Sequence, residues 1–296
     1  MFTIKRAAAL IGVTEGTLRA WERRYGVVQP KRTPSGYRMY DADAVRVLMA
    51  MKNLIDSGWA VRAAAEQAAG LDSARGASGG GSAPLPALED HDALLGPARS
   101  LDAAELSALL DQHFARAAFE TVVDHWLLPS LKRMGEAWAT GELSVAGEHF
   151  VSAAVNRRLA AAYDAAGDNA LGPRVALGLP PEDRHDLGLL SFAVAARRVG
   201  LATRYLGADV PVRAWKYAVE PGEISCALLA MPTLRTAAAV PAVVDAIETV
   251  RPGLLIAVGG AHQGLAPDRC IRLGHQIGPG AIALAELLSP SPANQT

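Results

Sequence analysis

The apolar positions change rhythm along the chain. From residue 3 to about 70 they mark short helices separated by turns. Ile4 to Ile11 predicts a first helix, Gly12-Val13-Thr14 a tight turn, and Thr14 an N-cap for a second helix from Glu15 to Tyr25. On that second helix Leu18 and Trp21 fall three apart and predict its buried side. Arg19, Glu22, Arg23 and Tyr25 are available to the outside. The run Pro30 to Tyr40 cannot be helical, and its Pro and Gly positions mark a hairpin-like wing. Asp41 then caps a helix through Ile55, and Ser57-Gly58 turns into another at about Val61 to Ala69. A helix-turn-helix followed by a basic, aromatic wing suits contact with a nucleic-acid backbone.

Residues 71–87 hold no apolar periodicity. Their Gly/Ser content and two prolines predict a flexible linker and a hinged head. The helical rhythm returns from Glu89 to Ala166. Ser100 is the expected N-cap of a helix from Leu101 to Ala115, with Leu106, Leu109, Leu110 and Phe114 as its stripe. Phe119, Val122, Trp126, Leu131, Met134 and Trp138 recur at threes, fours and one five. The five spans Pro129, where a kink or restart is expected. Gly141 ends that stretch, and Ser144 caps a last helix from Val145 to about Ala165. Four helices with short links predict a bundle.

From residue 173 the rhythm changes to short unbroken apolar runs. Strands are expected at Arg174 to Leu179, Ala202 to Leu206, Ile224 to Ala230 and Leu254 to Val258, with a weak last one near His275-Gln276-Ile277. Helical pieces alternate with them at Leu189 to Val199, Val212 to Val219, Val240 to Val250 and Ile282 to Leu288. Asp209 and Pro211 suit a helix start. Apolar strands bounded by Gly and Pro predict a doubly wound parallel sheet. The chain therefore reads as a multidomain α and α/β protein: a head at 1–70, a linker at 71–87, a bundle at 88–170, an α/β domain at 171–290 and a tail at 291–296.

Charge sharpens this division. The net charge is −1, but residues 1–70 carry +5 and the remainder −6. A basic head on an acidic body is the pattern of a nucleic-acid-binding module with a separate regulatory part. The two cysteines, Cys226 and Cys270, lie far apart, which excludes a disulfide scaffold or a cysteine metal cluster and fits a reducing cytoplasm. The beginning Met1-Phe2-Thr3-Ile4-Lys5-Arg6 has no apolar signal region, and no apolar run is long enough to span a bilayer.

Two places carry candidate chemistry. Asp183-Arg184-His185-Asp186-Leu187-Gly188 lies between a predicted strand and a predicted helix, where open α/β sheets bind ligands. Asp183 can reach one nitrogen of His185 and leave the other for a metal. Gly188 would let a bulky ligand approach the backbone. Taken alone, the six residues suit a polar loop with a solvated histidine equally well. In the bundle, Trp138 reads by itself as the last core residue of its stripe, and Glu148-His149 as a polar pair at a helix start. Together they set an aromatic plate at one helix end and two polar groups on the first turns of the next. Gly259-Gly260 follows a strand directly, where backbone must come close to something.

These stretches resemble known families. Thr17-Leu18-Arg19-Ala20-Trp21-Glu22-Arg23-Arg24-Tyr25-Gly26, Pro30, Arg32-Thr33 and Gly36-Tyr37-Arg38-Met39-Tyr40 resemble the DNA-binding head of MerR-family regulators. The resemblance implies a winged helix-turn-helix that binds operator DNA as a dimer, with Arg19, Arg23, Arg32, Tyr37 and Arg38 as contacts. Asp183-x-His185-x-x-Gly188 with Gly259-Gly260 is similar to the flavodoxin-like (Rossmann-type) domain that holds cobalamin with a histidine on cobalt. Behind a MerR head, with a tryptophan separated from Glu-His by nine intervening residues, the chain resembles the cobalamin-dependent light-sensing repressors of the CarH/LitR group. The resemblance implies His185 as the lower ligand of cobalt and Asp183 as its support. Trp138, Glu148 and His149 would line the upper face, where a 5′-deoxyadenosyl group sits. It further implies adenosylcobalamin as cofactor, a dimer or tetramer that changes with light, no membrane and no enzymatic activity. Two positions depart from the pattern. Ala139 replaces a histidine that follows the tryptophan in some relatives, leaving His149 or His125 as other candidates for the vacated position. Ala230-Met231-Pro232 stands where cobalamin domains often carry Ser-x-Leu. These departures admit a second reading, a MerR-type sensor of another corrinoid, a tetrapyrrole or a redox signal. A corrinoid mutase or methyltransferase would need a substrate barrel, which no stretch supplies.

Overall fold

The computed structural model describes residues 2–32, 38–56, 59–76 and 88–289. The chain forms two compact units, Met1–Ala154 and Val155–Thr296.

In the first unit, strand β1 (Phe2–Thr3) leads into α1 (Ile4–Ile11) and α2 (Glu15–Tyr25). Gly12 closes α1 in the left-handed region at φ 76°, and the Thr14 side chain caps α2 by accepting from the Thr17 amide. The wing is antiparallel, as expected: β2 (Lys31–Arg32) pairs with β3 (Arg38–Tyr40). Sequence reading missed β1, which adds to β3 and makes a three-stranded sheet. Helices α3 (Ala42–Asp56) and α4 (Val61–Gly76) complete the head. Leu18 and Trp21 are buried with Leu48, Met51 and Leu54, as their spacing predicted. The linker expected from residue 71 begins later, because α4 continues through Gly76; the rest of that stretch, 77–87, lies outside the described residues. The sequence predicts a hinged head that is not rigidly docked; in the structure α3 packs against the first long bundle helix, where Ala115 joins the head's apolar cluster.

The bundle starts with α5 (Leu95–Ser100) and α6 (Ala103–Arg116). Ser100 is not the N-cap. Asp102 caps α6, accepting from the Ala104 and Glu105 amides, because Leu101 adopts a left-handed turn at φ 55° that separates the two helices. The Phe119-to-Trp138 stripe runs over α7 (Phe119–Val122), a π-helical turn (Val123–Leu127) and α8 (Leu128–Ala139). The wide π turn shifts the stripe around the helix and accounts for the step of five. It sits just before Pro129, which has no N–H for the His125 carbonyl four residues back. That carbonyl accepts from His91 Nε2 at 3.1 Å instead. Gly141 (φ 78°) ends α8, and the Ser144 hydroxyl accepts from the Gly147 amide to start α9 (Val145–Ala166), both as expected.

The second unit holds a five-stranded, all-parallel sheet: β4 (Arg174–Gly178), β5 (Ala202–Gly207), β6 (Ile224–Ala230), β7 (Leu255–Gly259) and β8 (Ile271–Arg272). Its order is β5-β4-β6-β7-β8, the flavodoxin-like winding. Helix α10 (Leu187–Arg198) packs against α13 (Ile277–Leu288), and α11 (Val212–Val219) against α12 (Leu234–Val250). The last strand is four residues earlier than expected; Ile277 instead opens α13 with its side chain buried. Helix α12 starts six residues before the predicted Val240. Thr233 and Thr236 form a reciprocal capping box, and burial of Ala237, Val240, Val243, Val244 and Ile247 outweighs the interior Pro241. Asp209 does not cap α11; it stands at φ 53° and Pro211 occupies the cap position.

Candidate functional site

The His185 loop leaves the carboxyl end of β4 and closes against the start of α10. Asp183 is 3% exposed, whereas the His185 side chain is 76% exposed. His185 Nδ1–H donates to Asp183 Oδ1 at 2.6 Å, and the His185 amide donates to the same oxygen at 2.9 Å. The second carboxylate oxygen accepts from the Thr233 hydroxyl at the start of α12. Burial works to raise the Asp183 pKa. The bonds from Thr233, the His185 backbone and the His185 ring outweigh it and hold the carboxyl below its ordinary value. An ionised carboxylate keeps the proton on Nδ1 and leaves the Nε2 lone pair for a metal. The loop itself is locked. Glu182 takes φ 68° and its amide donates to Asp209 Oδ1 at 2.8 Å, while the Asp209 amide donates to the Asp183 carbonyl at 3.0 Å. A side chain added at Gly188 would meet nothing within 4 Å, so the space beside this position is open. The close approach at Gly259-Gly260 is made to the protein's own backbone. Gly260 stands at φ 105°, and a Cβ there would lie 2.9 Å from the Met231 carbonyl oxygen.

In the first unit, Trp138 is 50% exposed near the end of α8 rather than buried with its stripe. Glu148 and His149 lie on the first turns of α9. His149 Nδ1 pairs with Glu148 Oε2, and Glu148 Oε1 accepts from the Ser152 hydroxyl at 2.7 Å. The carboxylate is thereby oriented from its own helix while the imidazole stays exposed.

On the head, Arg19 and Arg23 are exposed on α2. Arg19 forms a surface pair with Glu15 at 3.1 Å, weak enough for a phosphate to replace. Glu22 is not free for DNA. Arg38 Nε donates to its Oε2 at 3.0 Å, and the buried Tyr40 hydroxyl donates to Oε1. Glu22 thus ties the wing strand to the recognition helix, and Arg38 is a buttress as well as a candidate contact. The Arg32 backbone lies in β2; its side chain, Gly36 and Tyr37 lie outside the described residues.

Residues 2–70 match the MerR HTH family of regulatory proteins, and residues 92–163 match the B12 binding domain. The HTH-type transcriptional repressor CarH of Myxococcus xanthus is 37% identical over 71% of this chain and 72% of its own length. The repressor CarA of the same organism is 32% identical over 71% of this chain and 69% of its own. The chain belongs to the MerR-family transcriptional regulators with a B12-binding domain, the CarH and CarA group. Among solved structures, the Methanosarcina barkeri monomethylamine corrinoid protein shares the fold, with a TM-score of 0.54 at 15% identity over 68% of this chain and 98% of that one.

This MerR-family member is thus a DNA-binding regulator with a B12-binding domain, and its relatives are named as transcriptional regulators or repressors, not enzymes. Among the described residues no helix is long and apolar enough to cross a membrane. The structure adds one residue to the site that sequence reading missed, Thr233. Its only local signal was a threonine three residues before Thr236 at a helix start; its bond to Asp183 joins positions fifty apart. Met231, in the departing Ala230-Met231-Pro232 stretch, is fully buried. Its amide donates to the Gly259 carbonyl at 2.7 Å and its carbonyl accepts from the His262 amide at 3.0 Å.

Proposed function

We propose that this protein is a light-responsive transcriptional repressor that binds operator DNA in the dark with 5′-deoxyadenosylcobalamin as its chromophore. The observation that carries the reading is the Thr233–Asp183–His185 chain of hydrogen bonds, which ends in an exposed imidazole with an available nitrogen. Imidazole suits a transition-metal ion, and the open space at Gly188 suits a large planar ligand beside it. His185 would hold cobalt from below, with Gly188, Gly259 and Gly260 bordering the corrin. Trp138, Glu148 and His149 would line the upper face. Adenosylcobalamin supplies a cobalt–carbon bond weak enough for visible light to break.

In this reading the head at residues 1–70 binds the operator. The bundle at 88–170 covers the upper group, and the α/β domain at 171–290 holds the lower ligand. In the dark the chains assemble as dimers or tetramers, and several heads on one operator raise avidity without new contacts. Loss of the upper group would free the Trp138 face, so that the bundle end would rearrange, the assembly would separate and operator affinity would fall. The test is an absorption spectrum of the protein loaded with adenosylcobalamin, dark and then under green light, beside gel filtration and an operator-binding assay. The expected result is a spectral change accompanied by loss of oligomer and of DNA. Absence of bound corrinoid would sink the proposal.

A second reading, a sensor of a corrinoid with a different nucleotide tail, is favoured by the Met231 segment, whose backbone is engaged within the protein. Equal affinity for cobalamin and tail-less cobinamide would support it.

A further inference from the structure

We infer that Tyr205, backed by Tyr163 and Arg197, is a positioning residue for the His185 loop and ties that loop to the last turn of α9. The inference rests on the reading that His185 takes the cobalt of a corrinoid. Asp186 follows His185 and occupies the N-cap of α10, yet its side chain makes no capping bond. It accepts instead from the Tyr205 hydroxyl at 3.3 Å. Burial, with the Asp186 charge second, raises the Tyr205 pKa, so the phenol stays protonated and acts as donor to the carboxylate.

Tyr205 does not stand alone. It lies two residues after Thr203 on β5, so both side chains share one face of the strand. The Thr203 hydroxyl bonds with the Tyr163 hydroxyl at 2.8 Å and accepts from Arg197 Nε at 2.8 Å. The Arg197 guanidinium lies 3.5 Å over the Tyr163 ring and donates to the Tyr163 carbonyl at 2.8 Å, closing the end of α9. The Tyr163 and Tyr205 rings meet at 5.7 Å, tilted by 49°. Both ends of α10 are therefore fastened to β5, Asp186 through Tyr205 and Arg197 through Thr203. Tyr163 sits in the middle of that fastening. A shift of the last turn of α9 moves the Tyr163 ring against Tyr205 and loosens the residue next to His185. The coupling is reciprocal, so a ligand that orders the His185 loop also steadies the end of α9.

The experiment uses the full chain with hydroxocobalamin in the dark, read by the histidine-ligated absorption spectrum and by amide hydrogen exchange. In the wild type, binding is expected to slow exchange at residues 183–190 and at residues 160–166. Tyr205→Phe keeps the ring and its packing. It is expected to bind roughly three- to tenfold more weakly, as fits loss of one long hydrogen bond of ordinary net strength, with a smaller histidine-ligated fraction and slowing confined to 183–190. Tyr163→Leu, which leaves the Tyr205–Asp186 bond in place, is expected to lose about twofold in affinity and to show the same confinement. Wild-type affinity and wild-type exchange in Tyr205→Phe overturn the inference alone. A wild-type chain that binds no hydroxocobalamin overturns the reading of His185 and this inference with it.

Discussion

Asp183 accepts three hydrogen bonds inside the protein, and their balance against burial governs how the lower site responds to acid. Its carboxyl is held below the ordinary carboxylate value in the folded state. Its contribution to stability is therefore fully present above the unfolded-state pKa and is lost as pH falls through the lower, folded value. Thr233→Val removes the donor to one oxygen and leaves the other bonds in place. The variant is expected to be less stable at neutral pH by about 1–3 kcal/mol, and to begin acid unfolding at a higher pH than the wild type. Circular dichroism across an acid titration checks both. His185→Ala is the sharper substitution for function. It removes the ring that donates to buried Asp183, so a loss of stability comparable with that of Thr233→Val is expected, while corrinoid retention by the folded variant, followed by absorbance after gel filtration, should be abolished. Retention unchanged in His185→Ala would rule out His185 as the residue that holds the corrinoid.

At the scale of elements, the head and the parallel sheet are held by different means. The wing reaches α2 through one carboxylate, Glu22, which serves Arg38 and Tyr40 together. Glu22→Ala leaves a half-buried guanidinium and a buried phenol without that acceptor, at a cost of about 1–3 kcal/mol to the head. Operator affinity measured by fluorescence anisotropy should fall, while corrinoid binding stays at the wild-type level. The turn after β7 is held by backbone conformation. Gly260 combines φ 105° with a carbonyl oxygen 2.9 Å from any added Cβ. Gly260→Ala should lower the midpoint of thermal unfolding, with a cost of about 1–3 kcal/mol from strain. The two cysteines complete the picture of a sheet stabilised by packing: both are free and buried, and burial pushes the Cys226 thiol up to about 12.

At the scale of the whole molecule, the uneven charge makes DNA binding salt-dependent. Arg19 and Arg23 are exposed on the recognition helix, and each phosphate contact adds about one counterion to the salt slope. Arg19→Ala and Arg23→Ala should each weaken operator binding and reduce that slope by about one, measured from 50 to 200 mM salt. A slope unchanged in both would place the DNA elsewhere on the head. Much of this organisation was legible in the residues. The helix-turn-helix, its turn at Gly12 and cap at Thr14, the bundle and the alternation of strand and helix follow from local periodicity and turn chemistry, which act over a few residues. The Asp183–His185 pairing was legible because two residues of separation suffice to form it. What the sequence could not decide were contacts between distant positions: β1 against β3, Glu22 under the wing, Pro241 tolerated inside α12, and Thr233 on Asp183. Those depend on which surfaces folding brings together and on the burial energy that overrides local preference. By itself the sequence determined most of the elements and marked His185 as the candidate metal ligand. Only the tertiary structure decided what orients that ligand, because a hydrogen bond across fifty residues leaves no periodic trace in the chain.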